Sequence, residues 1–172
     1  YVTLAFAGRH PELLTGYSLI HSHPFPDTPV AIENRTRQIT MVNEGRRDQF
    51  YQDSVKKMYA DSNLLKFKNE LAESLRIASS VSGEGIVAVL RGMIARQSRQ
   101  DVMEKADLPC LWIMGAKDNF ISYRDAAAKV KLPASSRLVI LENSGHMGFI
   151  EERDLTVKIL TEFIRAIRSD AE

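Results

Sequence analysis

Apolar positions in this chain follow two rhythms, and where they change marks its elements. Residues 1–9, Tyr1-Val-Thr-Leu-Ala-Phe-Ala7 and two more, are small and apolar and read as a helix ended near His10-Pro11. Gly16-Tyr-Ser-Leu-Ile20 is a short apolar run bounded by Gly and Pro, the pattern of a buried strand. The stretch from His23 to Pro29 holds three prolines and is expected to be a loop. Asp27 or Thr28 is then expected to cap a helix that has Pro29 in its first turn and is stopped by Gly45. Helical stretches follow at about 47–60, 68–80 and 83–96. In the second of these Leu71, Leu75 and Ala78 share one face, and in the third Ile86, Val87, Leu90 and Ile94 do.

Near residue 108 the texture changes. Leu108-Pro-Cys-Leu-Trp-Ile-Met114 is continuously apolar and too short for a helix, as expected of a strand buried on both faces. Ser122-x-x-Asp125 opens a helix reaching about Val130. Arg137-Leu-Val-Ile-Leu141 is a further strand. The last helix carries Val157, Leu160, Ile164 and Ile167 on one face, with Ile159 and Phe163 beside it. Strands alternating with helices predict an α/β fold, a parallel sheet covered by helices on both faces. The helices at 28–106 interrupt that alternation and read as an insertion over one end of the sheet. The expected organisation is core at 1–26, helical cap or lid at 27–106, and core again at 107–172.

Composition narrows the picture. Of 172 residues, 44% are hydrophobic and 26% charged, which excludes disordered and fibrous classes. Lys and Arg total 23 against 22 Asp and Glu, so no general field draws in nucleic acid or an anionic membrane. No apolar run approaches the roughly 18–20 residues of a membrane span. The single cysteine, Cys110, has no internal disulfide partner and fits a reducing compartment, so a cytoplasmic location is expected. Tyr1 onward reads as the middle of a helix, and a preceding segment of the same protein is expected as its packing partner.

Two loops carry candidate chemistry, and both follow the C-terminal ends of expected parallel strands, where ligands bind in open α/β sheets. They are Gly115-Ala-Lys-Asp118-Asn-Phe-Ile-Ser122 and Asn143-Ser-Gly145-His146-Met147-Gly148. A carboxylate there can hold one imidazole proton and leave the other nitrogen free as a general base. Taken singly, Asp118 reads as a turn residue and His146 as a loop histidine. As a pair on successive strand ends they point to catalysis.

The residues from Asp107 to Glu152, with "P-x-L-x-I-x-G-x-x-D" and then "S-G-H-M-G-F-I-E", resemble the end of an α/β-hydrolase. The resemblance implies Asp118 as triad acid and His146 as triad base, with the order Ser, Asp, His along the chain. "Y-V-T-L-A-F-A" is similar to the helix that follows the nucleophile elbow in that family, which implies a nucleophile a few residues before Tyr1. No serine here sits in a G-x-S-x-G elbow, and Ser18 reads as a sheet serine. The implied function is hydrolysis of an ester, or secondarily an amide or carbon–carbon bond, of a small apolar substrate without metal or organic cofactor. His23, Phe25, Phe120 and Met147 are expected to touch that substrate.

Other constellations remain. His21 and His23, alternating on a strand with Asp27 nearby, would suit a metal-dependent hydrolase that also uses His146 and Asp118. Asp27 otherwise serves as helix cap or as an alternative triad acid. Arg91, Arg96 and Arg99 read as a solvated helix end meeting carbonyls and acids. Phe50, Val55, Met58 and Tyr59 read as packing within the cap. A non-catalytic member using its pocket for binding is the remaining alternative.

Overall fold

The computed structural model describes residues 1–105 and 108–169; the expected boundary between cap and core at 106/107 lies outside them. Helix α1 (Val2–Arg9) leads through a single 3-10 turn to strand β1 (Tyr17–Ile20). Helices α2 (Pro29–Asn43), α3 (Arg47–Met58), α4 (Lys68–Ser79), α5 (Gly83–Ala95) and the short α6 (Gln100–Glu104) separate it from β2 (Cys110–Gly115). Helix α7 (Tyr123–Ala127), β3 (Arg137–Leu141), α8 (Gly148–Glu151) and α9 (Arg153–Ser169) complete the described chain.

The strands form a parallel sheet in the order β1-β2-β3, with Trp112 paired to Leu19 on one side and Leu138 on the other. Every residue of β2 is buried, as its unbroken apolar run demands. Its alternate side chains feed two cores. Cys110, Trp112 and Met114 pack with Leu4 and Ala7 of α1, Met103 of α6 and Ala126 of α7. Leu111 and Ile113 pack with Leu141 and with Ile159, Leu160 and Phe163 of α9. The sheet is therefore covered on both faces, the arrangement a parallel sheet requires. The Trp112 indole N–H, deep in the first core, donates to Ser22 O at 2.8 Å and so leaves no orphan donor.

The inserted helices have a core of their own. Val42 of α2 packs on Ile86, Val87 and Leu90 of α5, with Ile39 and Phe50 beside them. Val55 and Tyr59 are buried, and the Tyr59 hydroxyl bonds Ser74 Oγ at 2.8 Å, fastening the end of α3 to α4.

Several expectations need correction. Thr28, not Asp27, caps α2: its Oγ1 accepts from Ala31 N–H at 3.2 Å. Asp27 instead accepts from Arg35 of α2 and, at 2.7 Å, from Arg96 just after α5. Arg96 is 12% exposed, so this is a buried clamp rather than a solvated helix end. Arg99 N–H donates to Pro24 O at 2.8 Å beside it, so the ways into and out of the insertion are tied together. Helix α7 ends at Ala127 rather than Val130. On α9 the buried stripe runs through Thr156, Ile159, Leu160 and Phe163, while Val157 and Ile164 are about half exposed. The expected stripe was rotated because apolar residues occur around most of that helix and the sheet selects among them. Helices α6 and α8, of five and four residues, are too short to show a helical period.

Candidate active site

Strand β2 ends at Gly115 and strand β3 at Leu141, so the loops that follow leave neighbouring strands at the same edge. Backbone bonds interlace them: Ala116 N–H donates to Leu141 O and Lys117 N–H to Ser144 O, both at 2.9 Å. The crossing is close enough to require glycine. A Cβ on Gly115 would meet Gly145 O and lie 2.5 Å from Ser144 O. Gly115→Ala is expected to cost about 1–3 kcal/mol by overpacking rigid backbone. Urea denaturation measures this, and an unchanged midpoint would contradict the crossing.

This interlacing brings the two sequence-predicted residues together. Asp118 Oδ2 lies 2.7 Å from His146 Nδ1. An ionised carboxylate can only accept, so Nδ1 carries a proton, and in the neutral ring Nε2 keeps its lone pair. The other oxygen, Oδ1, accepts from the N–H groups of Phe120 at 2.8 Å and Ile121 at 3.1 Å. The Asp118 side chain is 1% exposed and that of His146 25%. Burial pushes the Asp118 carboxyl up. The bond and charge of His146 and the two backbone N–H groups outweigh it and hold the group below the usual carboxylate range.

A third residue belongs to the constellation. His21 follows directly on β1 with φ of +46°, a left-handed conformation that non-glycine residues adopt at a cost. Its Nε2 accepts from Gly148 N–H at 2.9 Å, which places its proton on Nδ1. That Nδ1 has no hydrogen-bond partner among the described residues and stands 3.8 Å from Asp118 Oδ2. Burial, and then His146, lowers the His21 pKa to about 4, partly offset by Asp118, so the ring is neutral at pH 7.

The left-handed turn also undoes the expectation that His21 and His23 share a strand face. The strand ends at Ile20, and the two rings are engaged separately. His23 Nδ1 accepts from Phe25 N–H at 3.2 Å, its ring stacks on Phe25, and its Nε2 is 3.4 Å from Arg96. Among the described residues no group of three or more His, Cys, Asp or Glu is placed to hold a metal ion.

The other expected substrate contacts are split. Phe120 is half exposed, and its ring meets that of His146 edge to face at 5.4 Å between centroids. Met147 is half-buried and immediately precedes α8. A cleft of about 410 Å³ beside Asp118 is lined by Asp61, Ser62, Lys117 and Asn119, and none of His23, Phe25, Phe120 and Met147 lines it. Sequence reasoning set His21 beside Asp118 only as a metal ligand and missed its bond to Gly148 N–H. It also missed Asn63 and Glu151, whose bonds join the insertion to the His146 loop. Glu151 lay within the quoted motif, but nothing in its spacing foretold its partners.

No family model matches the sequence, and no curated protein matches it. Solved structures do. A thermophilic esterase from Thermogutta terrifontis (malate bound) superposes with a TM-score of 0.88 at 23% identity, covering 97% of this chain and 61% of that one. An esterase from Exiguobacterium antarcticum gives 0.80 at 17%, covering 95% and 62%. The enol-lactonase from Burkholderia xenovorans LB400 gives 0.75 at 16%, covering 94% and 60%. The chain therefore has the α/β-hydrolase fold, and it spans about 60% of the length of the structures it matches.

Proposed function

We propose that this chain is the part of a serine hydrolase that carries its acid and base, cleaving an ester bond of a small, fairly apolar substrate. The observation that carries this reading is the 2.7 Å bond between Asp118 and His146 at the ends of adjacent parallel strands. Asp118 holds the Nδ1 proton, so His146 Nε2 can take the proton of a nucleophilic hydroxyl as that oxygen attacks the ester carbonyl. His146 then returns the proton to the leaving alcohol. In the second half it takes a proton from water, whose oxygen attacks the acyl carbon, and gives that proton to the serine oxygen as the acyl–serine bond breaks and the acid leaves. The hydroxyl belongs to a serine in residues preceding Tyr1, where α1 begins. Helices α2 to α5 form a lid over the site, and His23, Phe25, Phe120 and Met147 meet the substrate. The esterases and the lactonase of similar fold support the ester class.

The test uses the full-length protein and p-nitrophenyl acetate. Turnover should be unaffected by a chelator and lost after labelling with one equivalent of a fluorophosphonate, located by mass spectrometry on a serine. Chelator-sensitive turnover would replace this reading with a metal-dependent one. Absence of both turnover and labelling would favour a binding protein.

A further inference from the structure

The loops bearing Asp118 and His146 are both bonded to one short segment of the helical insertion, residues 57–63. His146 N–H itself donates to Met58 O at 2.7 Å. Asn119, next to the acid, donates through Nδ2 to Tyr59 O at 3.2 Å. Gly145 lies flat against the same segment: a Cβ there would be 2.5 Å from Ala60 N and 2.8 Å from the Tyr59 carbonyl carbon. At the centre is Glu151, 5% exposed in the first turns after the His146 loop. Its Oε1 accepts from Gly145 N–H at 2.8 Å, and its Oε2 accepts from Ala60 N–H at 2.9 Å and Asn63 Nδ2 at 2.7 Å. Asn63 Nδ2 also reaches Asn143 O at 2.7 Å, at the start of the base-bearing loop.

We propose that Glu151 is a positioning residue that bolts the His146 loop to residues 58–63, so that the helical insertion sets where the base stands. This rests on the hydrolase reading above but concerns a residue outside the proposed triad. The chemistry favours a carboxylate in this place. All three donors are N–H groups, two of them from backbone that no side-chain change can remove, and a carboxylate offers acceptors only. An amide would turn its NH₂ toward one of those donors and leave a buried N–H unpaired. The loop would then lose either its tie to Ala60 and Asn63 or its tie at Gly145. The imidazole is one residue from Gly145, and displacements of about 1 Å at a catalytic group cost about 100-fold in rate. It follows that a substrate or ligand displacing the α3–α4 junction acts on the base directly. The insertion is then part of the catalytic apparatus as well as a cover.

The experiment measures kcat and KM for p-nitrophenyl acetate in the full-length protein, with the downfield proton resonance of the His146 Nδ1–H bond as an independent readout. Glu151→Gln should lower kcat by about 30-fold or more, leave KM within about three-fold, and broaden or remove the resonance. Asn63→Ala, which deletes one donor and leaves the carboxylate, should lower kcat by a smaller factor of about five to ten and serves if Glu151→Gln does not fold. A kcat within two-fold of wild type and an unchanged resonance in the folded variants would overturn the proposal. If the wild-type protein does not hydrolyse the ester, the hydrolase reading fails and the resonance alone decides. Its presence in wild type and loss in the variants would still assign Glu151 the positioning role, and its persistence would remove it.

Discussion

His146→Ala is expected to lower ester hydrolysis by the full-length protein by roughly six orders of magnitude, with the fold retained. Asp118→Asn should cost about four orders. The second figure has a specific structural cause. Asp118 uses both oxygens: Oδ1 takes two backbone N–H groups and Oδ2 takes His146 Nδ1–H. In asparagine the single oxygen is claimed by the N–H groups of Phe120 and Ile121. The NH₂ then faces His146, donates to Nδ1, and moves the ring proton to Nε2, where a base needs its lone pair. Both variants should keep wild-type circular dichroism, since His146 is partly exposed and asparagine occupies the same volume. Near-normal turnover of Asp118→Asn would remove the acid assignment. Asp27 would not inherit it, because its carboxylate is held by Arg35 and Arg96.

Acidification should destabilise the fold at pH values well above those at which carboxylates titrate. The pKa values of His21 and His23 are both lowered from 6.5 to about 4, by burial first, then by His146 for His21 and by Arg96 for His23. In the window between about 4 and 6.5 the unfolded chain binds these protons and the folded chain does not, so stability falls as pH falls through it. A depression of that size is linked to at most about 3 kcal/mol for the nearly fully buried His21. His23, more open to solvent, contributes less. The Asp118 carboxyl, held low, adds its loss only below the window, near the ordinary aspartate range and beneath it. Urea midpoints between pH 7.5 and 4.5 measure the slope. His21→Asn is the informative variant because asparagine tolerates the left-handed backbone and does not titrate. It should be less stable at neutral pH, having lost the bond to Gly148 N–H, and its stability should depend less on pH. A slope equal to wild type would show that His21 is not the group responsible.

The fold was legible in the sequence wherever one rhythm admitted one reading. The run Leu108–Met114 was too short for a helix and fitted a strand covered on both faces, and β2 is fully buried and central among the described strands. Pro29 and Gly45 bracket α2 because each acts on the backbone by itself, proline by fixing its φ and glycine by entering the left-handed region, where Gly45 has φ of +82°. Where the pattern was degenerate, it failed. On α9 apolar residues lie on more than one side, so the buried face depends on which side meets β2 and β3. Between Asp27 and Thr28 either side chain can cap a helix, and the choice fell to the two arginines that draw Asp27 away.

By itself the sequence determined the α/β layering, the run of helices between β1 and β2, and the pairing of Asp118 with His146. These depend on local periodicity and on one topological fact: parallel strands end on the same edge, so residues just past neighbouring strands meet. The tertiary structure alone decided what surrounds that pair. His21 reaches Asp118 because a single left-handed residue turns it off the strand. The Asp27 clamp closes over a separation of 69 residues, and Glu151 meets Ala60 across 91. Such contacts join buried polar groups from distant segments, each chosen only for having a lone pair or a proton to offer. A polar residue in sequence states that it needs a partner, and only the folded backbone states which one is within 3 Å.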